Sequence, residues 1–287
     1  MFNQKIKIAF WGSSDFSVIA VEELKKLGII PELIVTTPDK PQGRKMVLTP
    51  TPVKAWAVEN SIECVTPSKL KDPEFLKKIK EYNLMIVASY GKIIPQEVIN
   101  IPEYKILNIH PSLLPKYRGS SPLQSQILND EFEVGVSIMQ VDIEMDHGPI
   151  ITQRKFVINN WPIGFTELQD ILAKEGAKII SEILPDWVKG NIETKEQKHS
   201  EATFTKKVEK KDGFIDIING DQFKNYLKIL AYEEWPRAYF QIEKKGIKTR
   251  IIIKSATWED GALKILRVIP EGKKEMDYKS FLLGLQN

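Results

Sequence analysis

The stretch Asn108-Ile109-His110-Pro111-Ser112-Leu113-Leu114-Pro115-Lys116-Tyr117-Arg118-Gly119-Ser120-Ser121-Pro122 decides how this chain is read. It follows the apolar run Tyr104 to Leu107 and precedes a helical pattern beginning near Pro122, so Asn108 and His110 fall at the carboxyl end of a buried strand. Open α/β sheets place their chemistry at that end. Two residues apart on a strand, the two side chains project from the same side. A hydrolytic or transfer site needs an amide that donates to a carbonyl gaining negative charge, and an imidazole that holds or moves a proton. The Pro-punctuated loop that follows, with Gly119 free to take positive φ, reads as a stiff wall. By themselves these residues equally allow His110 to be a core histidine bonded to backbone and Asn108 a turn former.

Upstream, Leu84 to Ala88 is the most continuous apolar run in this half and reads as a central parallel strand. Its end, Ser89-Tyr90-Gly91-Lys92-Ile93-Ile94-Pro95, falls beside the end of the Asn108 strand if the order is sequential. Ile6 to Trp11 is the first strand, followed by Gly12-Ser13-Ser14-Asp15 and a helix to about Leu27, with Ser14 or Asp15 as N-cap. This turn lacks Gly-x-Gly-x-x-Gly spacing, which rejects a dinucleotide site. Glu32 to Thr36 is the next strand. The segment from Thr37 to Pro52, rich in Pro and carrying Lys40, Arg44 and Lys45, is longer than a connector in a compact domain unless it binds something. A helix over Pro52 to Asn60, a strand at Ile62 to Val65 and a helix over Pro73 to Glu81 complete the alternation. Right-handed crossovers then require a doubly wound, mostly parallel sheet of Rossmann-like form.

Downstream, Pro122 to Leu128 is a helix, Val134 to Asp142 a strand, Ile143 to Gly148 an acid-bearing turn, Ile150 to Val157 a strand and Phe165 to Leu184 a long helix. The polar run Gly190 to Thr205 reads as a surface linker. Beyond it, a helix at Gln222 to Leu230 and short strands at Ala238 to Ile242, Thr249 to Lys254 and Ala262 to Val268 suggest a small β-barrel or part of one. The expected division is residues 1–189, a linker at 190–205 and a smaller β-rich domain at 206–287.

The chain has 287 residues, 42% of them hydrophobic, and no apolar run of membrane-spanning length. Its amino terminus lacks a signal-peptide core, so a cytoplasmic protein is expected. A single cysteine excludes an internal disulfide, and with only three histidines no structural metal site is expected. Net charge is +3, but from Lys206 onward there are 17 Lys+Arg against 12 Asp+Glu. That imbalance is a weak pointer to a polyanion, and an ordinary solvated lysine-rich surface explains it equally well.

The run Asn-Ile-His-Pro-Ser-Leu-Leu-Pro followed by Arg-Gly-x-x-Pro resembles the signature of the folate-dependent formyltransferases, and Asp146-His147-Gly148 resembles that family's downstream Asp-x-Gly turn. Further segments are similar to the tRNA-formylating branch: Pro-Asp-Lys-Pro-x-Gly-Arg running into Thr49-Pro50-Thr51-Pro52-Val53-Lys54, the Ser89 to Pro95 turn, Met139-Gln140-Val141-Asp142, Trp235-Pro236-Arg237-Ala238 and Pro270-Glu271-Gly272-Lys273-Lys274. The resemblance implies a Rossmann-like catalytic domain, a linker and an OB-like carboxyl-terminal domain. That last domain is short here, with a compact Ser255 to Ala262 connection and little chain after Lys274, which departs from a complete OB barrel.

What the resemblance implies for function is transfer of the formyl group of 10-formyltetrahydrofolate to the α-amine of methionyl initiator tRNA by a monomer, without metal. Asn108, His110 and Asp146 are then catalytic. Ser89, Tyr90, Gly91, Lys92, Gln140 and Asp142 line the pterin, and Ser112, Leu113, Leu114 and Pro115 line the formyl side. Lys40, Arg44, Lys45, Lys206 and Lys207 contact tRNA, and His147 is incidental to catalysis, with a structural or solvent-facing role. Two other readings stand beside it: an amino sugar nucleotide formyltransferase using the same three residues, and a folate- or RNA-binding module without turnover.

Overall fold

The computed structural model describes residues 6–43, 46–244 and 246–286. The chain forms two compact units, the first built from the chain up to Ser120 with Gly135–Phe156 and Gln169–Phe204, the second from Ser121–Val134, Val157–Leu168 and everything from Thr205 on. This differs from the expected division in two ways. The second unit draws in two earlier segments, and residues 190–204 belong with the first unit rather than forming a linker. Lys195 exchanges both backbone hydrogen bonds with Ile150, at 2.8 Å each. Most side chains of this polar segment are exposed, but Gln197 is buried and the Lys195 backbone is paired within the unit.

The first unit holds a seven-stranded sheet in the spatial order Ile150–Val157, Glu133–Gln140, Ile106–His110, Leu84–Ala88, Ile8–Gly12, Leu33–Val35 and Glu63–Val65. The last five are mutually parallel, and Glu133–Gln140 runs antiparallel to Ile106–His110. Ile8–Gly12 and Leu84–Ala88 are wholly buried, as their unbroken apolar runs require of strands covered on both faces. Each fully buried Ile, Leu or Met there contributes roughly 1.5–3 kcal/mol. Chain direction reverses its progress across the sheet between these two strands, and doubly wound sheets open a crevice at such a switch point. Ser13 stands there: its amide donates to Ser89 O at 3.1 Å and its hydroxyl to Tyr90 O at 3.2 Å.

The helix Asp15–Lys26 starts at Ser14, which forms a capping box with Ser17. The segment expected to be an irregular loop contains a short antiparallel hairpin, Lys40–Gln42 paired with Val47–Thr49. Pro41 within so short a strand hid the pairing, since Pro argues against a strand interior. The long helix runs Phe165–Val188, past the expected end at Leu184, with Pro185 inside it.

The second unit contains the helix Gln222–Ala231, capped by the Asp221 carboxylate accepting from Lys224 N at 2.9 Å. Its antiparallel sheet has the order Tyr239–Lys244, Ile247–Glu259, Ala262–Pro270, Met276–Asp277. Phe240, Ile251, Ile253, Val268 and Phe281 form its core. Among the described residues no pairing returns from the last strand to the first, so the sheet is open and short of a full five-stranded OB barrel. A helix not foreseen, Tyr278–Gln286, brings Phe281 into that core.

Candidate active site

Parallel pairing sets Val87 opposite Asn108, which brings the Ser89 turn next to the end of the Asn108 strand. On that strand Asn108 is half-buried and His110 only 4% exposed. The antiparallel neighbour, through the pair His110 and Ser137, carries the chain on to Gln140 and into the turn bearing Asp146. Asp146 takes φ of 52°, a left-handed conformation that Asp tolerates better than most residues. Gly148 closes the turn by necessity: a Cβ there would stand 2.0 Å from Gln140 O.

The three expected catalytic side chains converge. Asp146 Oδ1 lies 3.5 Å from His110 Nδ1 and 3.4 Å from Asn108 Nδ2. Contacts this long are weak, so other bonds fix the groups. Asp146 Oδ2 accepts from Gly119 N at 2.8 Å, with Gly119 at φ of 110° as its place in the wall demands. His110 Nε2 lies 3.0 Å from Tyr117 O; a carbonyl only accepts, so Nε2 carries a hydrogen. Nδ1 is thereby the nitrogen turned toward the carboxylate. A proton taken at Nδ1 would sit on a nitrogen 3.5 Å from the Asp146 carboxylate.

The residues expected to line folate divide into two groups. Ser89 and Gly91 are exposed, Ser89 at φ of 52°. Tyr90 is 2% exposed, edge-on to Trp11 at 5.1 Å between ring centroids, and burial raises its phenol above the ordinary range. Its side chain is core, so only its backbone is available to a ligand. Lys92 is half-buried and donates to Pro67 O at 3.1 Å; burial first, and then the nearby Lys40 ammonium, lowers its pKa. Ser112 is fully buried and donates to Lys116 O at 2.6 Å. The Leu114 side chain is buried, and its amide donates to Ser137 Oγ at 3.0 Å. Leu113 and Pro115 are half-buried along the same loop. Gln140 pairs with Leu107 across the sheet. Asp142 Oδ2 contacts His147 Nδ1 at 2.6 Å, and His147 stacks on His199 at 4.1 Å.

Of the basic residues, Lys40 is exposed in the hairpin, and Lys206 and Lys207 are exposed in the second unit. Arg44 and Lys45 lie outside the described residues. Among the described residues no group of three or more His, Cys, Asp or Glu is gathered that could hold a metal ion, and no helix is long and apolar enough to cross a membrane. Sequence reading passed over the Tyr117 carbonyl and the Gly119 amide, whose roles are carried by backbone. It also passed over Gln197, which donates to the carbonyls of Asp146 and Gly148 from within the supposed linker.

The sequence profile described as Formyl transferase matches residues 6–184. The methionyl-tRNA formyltransferase of Sulfurihydrogenibium sp. (strain YO3AOP1) is 38% identical over 85% of this chain and 78% of its own length. That of Thermodesulfovibrio yellowstonii is 36% identical over 96% of this chain and 95% of its own. A solved sugar N-formyltransferase from Shewanella sp FDAARGOS_354 superposes with a TM-score of 0.63, covering 85% of this chain and 96% of that one, and at 18% identity it speaks to the fold alone. A profile spanning most of the chain, relatives aligned over most of both lengths, and the convergence of Asn108, His110 and Asp146 lead to one conclusion: the chain belongs to the formyl transferase family, among the methionyl-tRNA formyltransferases.

Proposed function

We propose that this formyl-transferring enzyme moves the formyl group of 10-formyltetrahydrofolate to the α-amine of methionyl initiator tRNA, acting in the cytoplasm as a monomer. The observation that carries the reading is the convergence of Asn108, His110 and Asp146 at the carboxyl end of one strand and its neighbour. Asn108 has two N–H donors, and its contact to Asp146 uses one of them. The other is free to stabilise the formyl oxygen as it gains charge. His110 Nδ1 takes the proton that the amine loses as the new C–N bond forms, and returns it to the folate nitrogen as the old C–N bond breaks. Asp146 stabilises the imidazolium between those events.

The exposed backbone at Ser89 and Gly91 and the Gln140 to Asp142 segment offer polar groups to the edge of a pterin. The buried side chains of Tyr90, Ser112 and Leu114 serve as a rigid backing. Lys40 and Lys92, close enough for one charge to affect the other, give this end of the sheet a positive potential suited to phosphate. In this reading Arg44, Lys45, Lys206 and Lys207 supply further phosphate contacts.

Fold likeness alone does not choose the acceptor, since a sugar N-formyltransferase shares it. The names of the relatives aligned over most of the chain favour tRNA. The deciding experiment offers charged initiator tRNA and a panel of amino sugar nucleotides in a formyl-transfer assay. Formylation of tRNA, with apparent affinity falling steeply with salt and a slope reduced by roughly 0.7–0.9 on Arg44→Ala, is expected for counterion release at a phosphate contact. Turnover of an amino sugar nucleotide with none of tRNA would overturn the proposal.

A further inference from the structure

Gln197 is 5% exposed, and its side-chain amide is fully engaged. Nε2 donates to Asp146 O at 2.9 Å and Gly148 O at 2.7 Å. Oε1 accepts from Arg118 Nε at 3.1 Å and Nη2 at 2.6 Å. Carbonyls only accept and a guanidinium only donates, so the amide can face only one way. Arg118 is itself 3% exposed, and its Nη2 also donates to His199 Nδ1 at 2.9 Å. His199 stacks on His147, which bonds Asp142 at the entry to the same turn.

We infer that Gln197 is a positioning residue for the formyl-transfer reaction, holding the Asp146 to Gly148 turn so that the Asp146 carboxylate stands between His110 and Asn108. The inference rests on the reading of Asp146 as the acid of the site. Two donations grip the turn at the carbonyls of its first and last residues, leaving the Asp146 side chain directed toward Gly119, His110 and Asn108. The carboxylate's own contacts to His110 and Asn108 are 3.5 and 3.4 Å and too weak to set its place. The Gly119 amide holds one carboxylate oxygen, and the rest of the positioning comes through the backbone of the turn, where Gln197 acts. Arg118 holds the far side of the amide and connects it to the strand end through Gly119, the next residue and itself a donor to Asp146.

A purely structural role would make Gln197 an acceptor that satisfies Arg118, and Gln197→Glu separates the two. The carboxylate still accepts from Arg118, and more strongly, but has no hydrogen for the turn carbonyls. With the thermal midpoint unchanged, kcat is expected to fall at least about tenfold, because small misplacements of a catalytic group are costly. KM for both substrates is expected to change less than about twofold. The Gly119 amide, which reports the bond to Asp146 directly, is expected to exchange its hydrogen about tenfold faster. In an Asp146→Asn background the same substitution is expected to cost no further turnover, as coupled residues are non-additive. Should the Glu variant fail to fold, Gln197→Met, which makes neither donation and also removes the Arg118 acceptor, is expected to show the same loss of kcat and faster Gly119 exchange with a lowered thermal midpoint. Wild-type kcat and Gly119 exchange in either folded variant would overturn the inference. Because exchange needs no turnover, it tests Gln197 even if the wild-type enzyme formylates no acceptor, an outcome that would sink the functional reading alone.

Discussion

Nε2 of His110 stands 3.0 Å from the carbonyl oxygen of Tyr117, seven residues farther along the same chain, and this contact chooses which ring nitrogen faces the reaction. The loop that follows the strand therefore also orients the imidazole. Nitrogen NMR of labelled His110 is expected to show a hydrogen on Nε2 whether or not Nδ1 is protonated; a neutral ring with its only hydrogen on Nδ1 would contradict the assignment. His110→Ala is expected to lower kcat by a factor on the order of 100 or more, with folding retained.

Asn108→Ala and Asp146→Asn should separate two contributions. Loss of the amide donor is expected to cost about 100-fold or more in kcat, as for other oxyanion donors. Asp146→Asn keeps an acceptor for Gly119 but loses the negative charge beside His110, so turnover is expected to drop while folate affinity, read by equilibrium fluorescence titration, stays near wild type. An Asp146→Asn protein that cannot bind folate would move Asp146 from the catalytic to the binding role.

Gly148→Ala places a Cβ against the Gln140 carbonyl, which is backbone and cannot swing aside. Overpacking of this kind costs about 1–3 kcal/mol. Urea unfolding is expected to show a lower midpoint with an unchanged slope, together with reduced kcat because the Asp146 turn must shift. Wild-type values of both would mean that the turn relaxes freely.

Lys40→Gln removes a like charge near Lys92. The charged form of Lys92 is then less disfavoured, so its pKa is expected to rise toward the ordinary lysine value. The rise is partial, since burial is the larger cause of the depression. An NMR titration of the Lys92 side-chain nitrogen that shows no change would place the root of the hairpin out of electrostatic reach.

The parallel strands were legible because their physics is local. Leu84 to Ala88 is a continuous apolar run, and a run buried on both faces has one main solution in an α/β chain. The same held for Asn108 and His110, whose spacing of two on a strand already implied convergence. The hairpin at Lys40–Gln42 and Val47–Thr49 was not legible, because three-residue strands with a proline carry no periodicity to detect. Gln197 was hidden for a different reason. A glutamine in a run of Lys, Glu and His looks solvated, and only the distant Arg118 and Asp146 turn make it buried. The acid itself, in a short polar turn, became recognisable through its Asp-x-Gly pattern, while Gly119 and Tyr117 act through backbone groups that every residue possesses.

Gln197 lies beyond residue 184, where the match to the family profile ends, yet it grips the turn that presents Asp146. Modular exchange in this enzyme therefore has a constrained seam. A chimaera spliced directly after the long helix would inherit every residue of the Asn108 signature and still leave the acid loose. A splice that keeps the chemistry intact must therefore fall beyond Gln197, not at the end of the profile match.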